Sequence, residues 1–166
     1  MRVQTFDLVV VGAGVIGLSL ADAWLARFPR DRVIVFDKEP NLGAHASGRN
    51  SGVLHAGFYY SPNSLKARLT RDGNASLREL CAERGIPVRA TGKVVVTKSE
   101  NELPALNELH ARGVANGVEV HLVNETELAE LEPLARTHGK ALWSPNTAVA
   151  DPLLVVAALA DRVSER

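Results

Sequence analysis

"DLVVVGAGVIGLSLADAWLARFPRDRVIVFD" (7–37) decides how the rest of the chain is read. Its first five residues, Asp7 to Val11, are rich in branched side chains, the mark of a strand buried on both faces. The run breaks at Gly12. From Val15 to Phe28 the apolar residues take helical spacing until Pro29, and "RVIVFD" (32–37) is a second buried strand. Strand, helix and strand within roughly thirty residues predict a right-handed βαβ unit with parallel strands.

The turn between the first strand and the helix reads G-x-G-x-x-G at Gly12, Gly14 and Gly17. The pattern is weak alone, but here it follows a strand and opens a helix, as its mechanism requires. Gly12 permits the tight turn, Gly14 lets a pyrophosphate approach the backbone, and Gly17 lets helix and strand pack closely. The helix N-terminus then offers unpaired N–H groups and partial positive charge to phosphates. Asp37 closes the second strand about twenty residues later, where a carboxylate accepts ribose hydroxyls and repels a 2′-phosphate. The ligand class is therefore FAD or NAD, and not NADP.

The bulk composition agrees with a globular binding protein. The 166 residues are 46% hydrophobic and 23% charged, with nineteen basic and nineteen acidic side chains. That suffices for one domain with a real core. Zero formal charge argues against nucleic acid or an anionic membrane as the main partner. The single Cys81 excludes an intrachain disulfide, argues against a metal-thiolate site and fits a reducing compartment. The apolar run from Leu8 to Phe28 is a candidate leader or membrane span. Only Arg2 supplies N-terminal charge, Asp7 precedes the run, Asp22 lies inside it and three glycines interrupt it, which favours a buried strand and helix.

Beyond Asp37 the segment 39–60 is long and irregular, a length that in compact domains is usually functional or disordered. A helix follows from Pro62 to Arg84, with Asn63 or Ser61 as its cap. Leu65, Leu69, Leu77, Leu80 and Cys81 fall near one face of it, and Gly73 weakens its middle. "GKVVVTKS" (92–99) reads as a strand, 101–115 as an amphipathic helix and "VEVHLV" (118–123) as another strand. Asn124 and Glu127 form a capping box for a short helix ending at Pro133. "ALWS" (141–144) is a last strand, and Asp151 with Pro152 opens a terminal helix. The composition changes near residue 90. The expected division is 1–90, 91–150, and a helix at 151–166 returning to the first region.

The segment Ser47–Tyr60 separates FAD from NAD. A nicotinamide enzyme normally continues into another helix and a third parallel strand, whereas this chain makes a polar excursion. Ser47, Arg49, Asn50 and Ser51 all carry groups that bond phosphate, and Gly48 and Gly52 let backbone approach a flat ring. Here "DLVVVGAGVIGLSLA" followed by "ASGRNSGVLHAGFYYSPNSLKARL" resembles the D-amino-acid-oxidase-like superfamily of FAD-dependent oxidoreductases, and within it the L-2-hydroxyglutarate dehydrogenases. The resemblance runs on through "ELAELEP" (127–133) and "WSPNTAVADP" (143–152).

The resemblance implies an α/β fold, a Rossmann-like FAD-binding βαβ unit followed by part of an interleaved α+β substrate domain built on an antiparallel sheet. It puts Gly12, Gly14, Val15, Ile16 and Gly17 at the cofactor, with Asp37 and Lys38 near the adenosine ribose. Ser47, Arg49, Asn50 and Ser51 would follow the pyrophosphate and ribityl chain, and Gly52, Val53 and His55 would pass beside the isoalloxazine. His55 has two readings. Either its role is positional, or it is the catalytic base that accepts the substrate hydroxyl proton while hydride leaves for the flavin. In some amine-oxidising relatives a His in a comparable loop carries covalent flavin, which makes His55 the residue to test for such a link. Tyr59 and Tyr60 read as loop-packing aromatics. Lys66 and Arg68 read as a solvated helix face that could help draw in an anionic substrate.

The implied reaction is oxidation of a small 2-hydroxy acid, foremost L-2-hydroxyglutarate, with oxygen or a quinone as electron acceptor. Glycerol 3-phosphate, amino acids and amines are the alternative substrates, and a non-catalytic dinucleotide-binding remnant is the alternative to an enzyme. The expected location is cytoplasmic, or peripheral to a membrane where quinone is the acceptor. Family members are roughly twice this length or more, so the fold is expected to be truncated. The expectation is marginal folding, self-association, or a second chain supplying the remainder.

Overall fold

The computed structural model describes residues 4–166. Arg2, weighed above as leader charge, lies outside the described residues. In chain order the elements are β1 (Leu8–Val11), α1 (Val15–Arg27), β2 (Val33–Phe36), β3 (Val53–Leu54), α2 (Leu65–Glu83), β4 (Val88–Arg89) and β5 (Lys93–Val96). There follow a 3₁₀ turn (Glu100–Glu102), α3 (Leu103–Ala115), β6 (His121–Asn124), α4 (Glu125–Leu131), β7 (Lys140–Ser144), β8 (Ala148–Ala150) and α5 (Pro152–Ser164). They form two compact units. One holds the chain up to Gly52 with Leu80–Pro87 and Ala150–Arg166; the other holds Val53–Glu79 and Val88–Val149.

In the first unit β1 and β2 are parallel and in register from Leu8 opposite Val33 to Val11 opposite Phe36. The pairing starts where Asp7 accepts the Arg32 N–H at 2.7 Å and gives its own N–H to the Arg32 carbonyl at 2.8 Å. Helix α1 buries Leu18, Ala21 and Leu25, and it packs on α5, which buries Val155, Val156 and Leu159. Asp22 fixes that pair, accepting Arg162 at 3.1 Å and Arg166 at 2.9 Å. Asp151 caps α5 through the N–H groups of Leu153 and Leu154, with Pro152 in the first turn as expected. The expected burial of both strand faces does not hold. Val10 is buried, but Val11 is 86% and Phe36 53% exposed, because a two-stranded sheet has too little cover to seal both faces.

The second unit contains two three-stranded sheets, in the orders β3-β8-β4 and β5-β7-β6. Strand β7 lies antiparallel between β5 and β6, and β3 is antiparallel to β8. Its core gathers Ala56, Phe58, Leu106, Val118, Val120 and Leu142. Gly113 lets α3 approach this core, since a Cβ there would stand 2.7 Å from Val120. The capping box of α4 forms as read, with Asn124 accepting from Thr126 and Glu127 while Glu127 reaches back to the Asn124 N–H.

Several local expectations need correction. The cap of α2 is Ser64, whose hydroxyl accepts the Ala67 N–H at 3.1 Å, and not Asn63 or Ser61. Leu65 and Leu69 are exposed, and the buried side chains of that helix are Ala67, Leu80 and Cys81. The strand expected at 118–123 starts at His121. The segment 39–60 contains β3, and β4 and β8 were not anticipated. Pairing of β3 with β8 groups residues 53–79 with the second unit, whereas the sequence reading set its boundary near 90. No helix among the described residues is long and apolar enough to cross a membrane.

Candidate active site

In the first unit the candidate residues gather at the turn from β1 into α1. Gly12 has φ +110°, a conformation that only glycine adopts without strain. A Cβ on Gly17 would fall 1.9 Å from the Gly12 carbonyl oxygen, so the first turn of α1 lies directly over the loop. At Gly14 the structure departs from the simple reading. The space a side chain would take is filled by Ser47, whose Oγ would be 2.7 Å from a Cβ there. That hydroxyl accepts the Val15 N–H at 3.1 Å. Gly14 thus admits a second loop to the helix end as well as a ligand.

The remainder of the helix terminus is open. Gly14 offers no side-chain cap and the first turn holds no acidic residue. Among the described residues no acceptor stands against the N–H groups of Ile16 and Gly17, and the Ile16 side chain is 81% exposed. These are orphan donors in a positive helix-end field, the arrangement that receives phosphate. Asp37 lies beside them, its carboxylate accepting Ala13 N–H at 2.7 Å and Glu39 N–H at 2.9 Å. Those bonds, first from Glu39 and then from Ala13, hold its pKa below the usual aspartate value. The group is exposed and ionised, with lone pairs left for ribose hydroxyls. Lys38 points to solvent, 3.8 Å from Glu39.

The loop 43–52 is built largely by its own bonds. Asn50 gives its amide protons to the carbonyls of Ala46 and Ser47, both at 3.0 Å, and accepts the Gly52 N–H at 2.9 Å. All of its amide is therefore engaged in shaping the loop, although the sequence reading offered it to phosphate. Arg49 and Ser51 are exposed, and their side chains make no hydrogen bond among the described residues, so both are free to meet a ligand. Gly52 has φ +66°, and a Cβ there would lie 2.1 Å from the Ala150 carbonyl oxygen.

A second group of candidate residues belongs to the other unit. Val53 opens β3 opposite Val149. His55 follows, its backbone carbonyl accepting from the Asn74 amide at 3.1 Å while its ring is exposed. Partial desolvation and then the charge of Lys93 lower its pKa from the ordinary 6.5. The imidazole is thus neutral near pH 7 and able to accept a proton. Tyr59 stacks on Phe58 at 4.3 Å, and the Lys93 ammonium sits 4.7 Å from the Tyr59 ring centre. Lys93 was missed by the sequence reading. Its only signal was a charged residue at the start of an apolar strand, directly after a glycine. Lys66 lies over Tyr60, while Arg68 makes no ion pair among the described residues.

A glycine turn over an open helix end, with an ionised carboxylate closing the next parallel strand, defines a dinucleotide-binding protein. Residues 7–166 match the FAD dependent oxidoreductase (DAO) family, and the chain belongs to it. The family is FAD-dependent, and the donors described above suit the phosphates of that cofactor. The mitochondrial L-2-hydroxyglutarate dehydrogenase of Pongo abelii is 40% identical over 149 residues, which are 89% of this chain and 35% of that protein. The chain therefore spans about a third of the length of the curated relatives it matches. Among solved structures, glycine oxidase from Geobacillus kaustophilus is 27% identical with a TM-score of 0.79, over 96% of this chain and 44% of that one. L-alpha-glycerophosphate oxidase from Mycoplasma pneumoniae is 26% identical with a TM-score of 0.81, over 98% and 43%. The fold is thus the mixed α/β fold of this family.

Proposed function

We propose that the first unit binds FAD and that the second is part of a substrate domain for oxidation of a 2-hydroxy acid, with L-2-hydroxyglutarate going to 2-oxoglutarate. The observation that carries the cofactor half is the open N-terminus of α1, joined by Ser47 to the 43–52 loop. Gly12, Gly14, Val15, Ile16 and Gly17 line the pyrophosphate in this reading. Asp37 and Lys38 serve the adenosine end, and Ser47, Arg49, Asn50, Ser51, Gly52 and Val53 the remainder of the cofactor. Asn50 acts there by holding the loop's shape. Bound there, FAD supplies a two-electron acceptor for carbon–hydrogen oxidation.

His55 accepts the substrate hydroxyl proton. Its lowered pKa supports this role, because a base must be deprotonated at the working pH. The choice of L-2-hydroxyglutarate rests on the curated relatives, and oxygen or a quinone completes the turnover.

The test is the visible spectrum of the purified protein with added FAD, before and after acid precipitation. Anaerobic addition of L-2-hydroxyglutarate, sn-glycerol 3-phosphate or glycine follows. Bleaching by the first alone supports the reading, and bleaching by another reassigns the substrate. A bound flavin that none of them reduces leaves the chain as a dinucleotide-binding module. Colour retained in the acid pellet identifies a covalent link, with His55 the residue to substitute.

A further inference from the structure

Lys93 has a position that the proton-acceptor role of His55 does not explain. It is half-buried at the start of β5, and among the described residues its side chain makes no hydrogen bond or ion pair. Its ammonium therefore has no counter-ion among the described residues. The one contact it makes is with the face of Tyr59, 4.7 Å away. Among the other cations of this unit, Arg71 pairs with Asp72 and Arg78 bonds Asn74 and the Asn146 carbonyl, while Arg68, Arg89, Lys98 and Lys140 are exposed. Lys66 also lies over a tyrosine, but it is exposed on α2.

The support beneath Lys93 is rigid. Gly92 has φ +63°, and a Cβ there would overlap the Trp143 ring at 1.7 Å. The six-membered ring of the indole therefore lies close against the Gly92 backbone, and the Gly92 N–H is held by the Thr147 carbonyl at 2.9 Å. Lys93 itself pairs with the fully buried Ser144. On the other side Tyr59 rests on Phe58, which is only 1% exposed in the core. Both the cation and its aromatic wall are thus anchored to the unit's centre, and the charge reaches His55.

We propose that Lys93, Tyr59 and His55 form a carboxylate-binding corner, in which Lys93 is the counter-charge for one carboxylate of the substrate. The inference rests on the reading of the substrate as a 2-hydroxy acid. It adds the group that would orient such an anion, with its hydroxyl toward His55. Lys93 is a positioning residue, and the neutral His55 beside it avoids like-charge repulsion while adding a hydrogen-bonding wall.

The test follows the His55 imidazole by NMR in the 166-residue protein, its signal assigned with His55→Gln, while glutarate and L-2-hydroxyglutarate are titrated in. In the wild type both dianions should perturb the His55 signal and raise its pKa, since a bound anion offsets Lys93. Lys93→Gln should raise the pKa without ligand and weaken glutarate binding at least about tenfold, roughly the loss of one charge-assisted bond. Lys93→Arg should retain binding, and Lys66→Gln should change nothing. Wild-type affinity for glutarate in Lys93→Gln overturns the proposal. So does a silent His55 in the wild type, a result that needs no variant to fold. Failure of L-2-hydroxyglutarate to reduce bound flavin, with the glutarate response intact, would sink the proposed reaction and leave the anion site standing.

Discussion

The Ser47 hydroxyl lies 3.1 Å from the Val15 N–H, joining residues thirty-two apart in sequence at the mouth of one helix. It also occupies the place that a side chain on Gly14 would need. The glycine turn and the 43–52 loop are thus one piece of structure, and cofactor affinity should depend on the joint. Ser47→Ala removes one hydrogen bond, worth about 0.5–1.5 kcal/mol, and should weaken FAD binding several-fold. Gly17→Ala should abolish uptake, because its Cβ would strike the Gly12 carbonyl. Titration of flavin fluorescence, with circular dichroism to verify folding, measures both. Equal affinities for wild type and Ser47→Ala would show that the joint is incidental.

Asp37 gives a pH signature. Its folded pKa is lowered by the N–H groups of Glu39 and Ala13. A depressed carboxylate contributes stability that is fully present above its unfolded pKa and lost as pH falls through the folded value. Stability should therefore fall with acid from near the ordinary 3.8 downward. Asp37→Asn should flatten that part of the acid limb of a urea-melt series and weaken FAD binding at neutral pH. Glu165, depressed by its bond to Arg84, adds to the same limb and must be held constant in the comparison. An unchanged acid limb in Asp37→Asn would exclude the carboxylate as its source.

The βαβ unit was legible because strand, glycine turn and helix announce themselves locally, and so do the Asn124–Glu127 box and the Asp151 cap. What escaped depends on partners distant in sequence. Strand β3 is two residues long and exists because Val53 meets Val149, a pairing that no local period encodes. Lys93 reads as an ordinary strand-end lysine until Tyr59 is folded against it. Asn50 is a different case. Its side-chain type suggested phosphate, but the nearest acceptors and donors were its own loop's backbone.

His55 sets the expected pH dependence of the proposed oxidation. Its pKa is lowered from 6.5 by desolvation and by Lys93, and only the neutral ring accepts a proton. The value of kcat/KM should be level near neutrality and fall as pH drops through an inflection below 6.5. Lys93→Gln should move that inflection upward, and His55→Gln should remove it with a loss of about 10²–10⁴-fold in rate. A profile without that inflection in the wild type would reassign His55 to the positional role.

The exposed apolar side chains of the first unit predict association. Val11, Ile16, Leu20 and Phe36 are 86%, 81%, 51% and 53% exposed, and β1 and β2 each keep one unpaired edge among the described residues. Open apolar edges pair with other chains unless charge or proline blunts them. The weight-average mass in sedimentation equilibrium should therefore rise with protein concentration. Val11→Lys places a charge on that surface at a site so exposed that its own effect on stability should stay within about 0.5 kcal/mol. It should return the protein towards a monomer without lowering its urea midpoint. A wild type that stays monomeric at high concentration would mean that this surface is solvated as it stands, and neither self-association nor a second chain would then be needed to explain it.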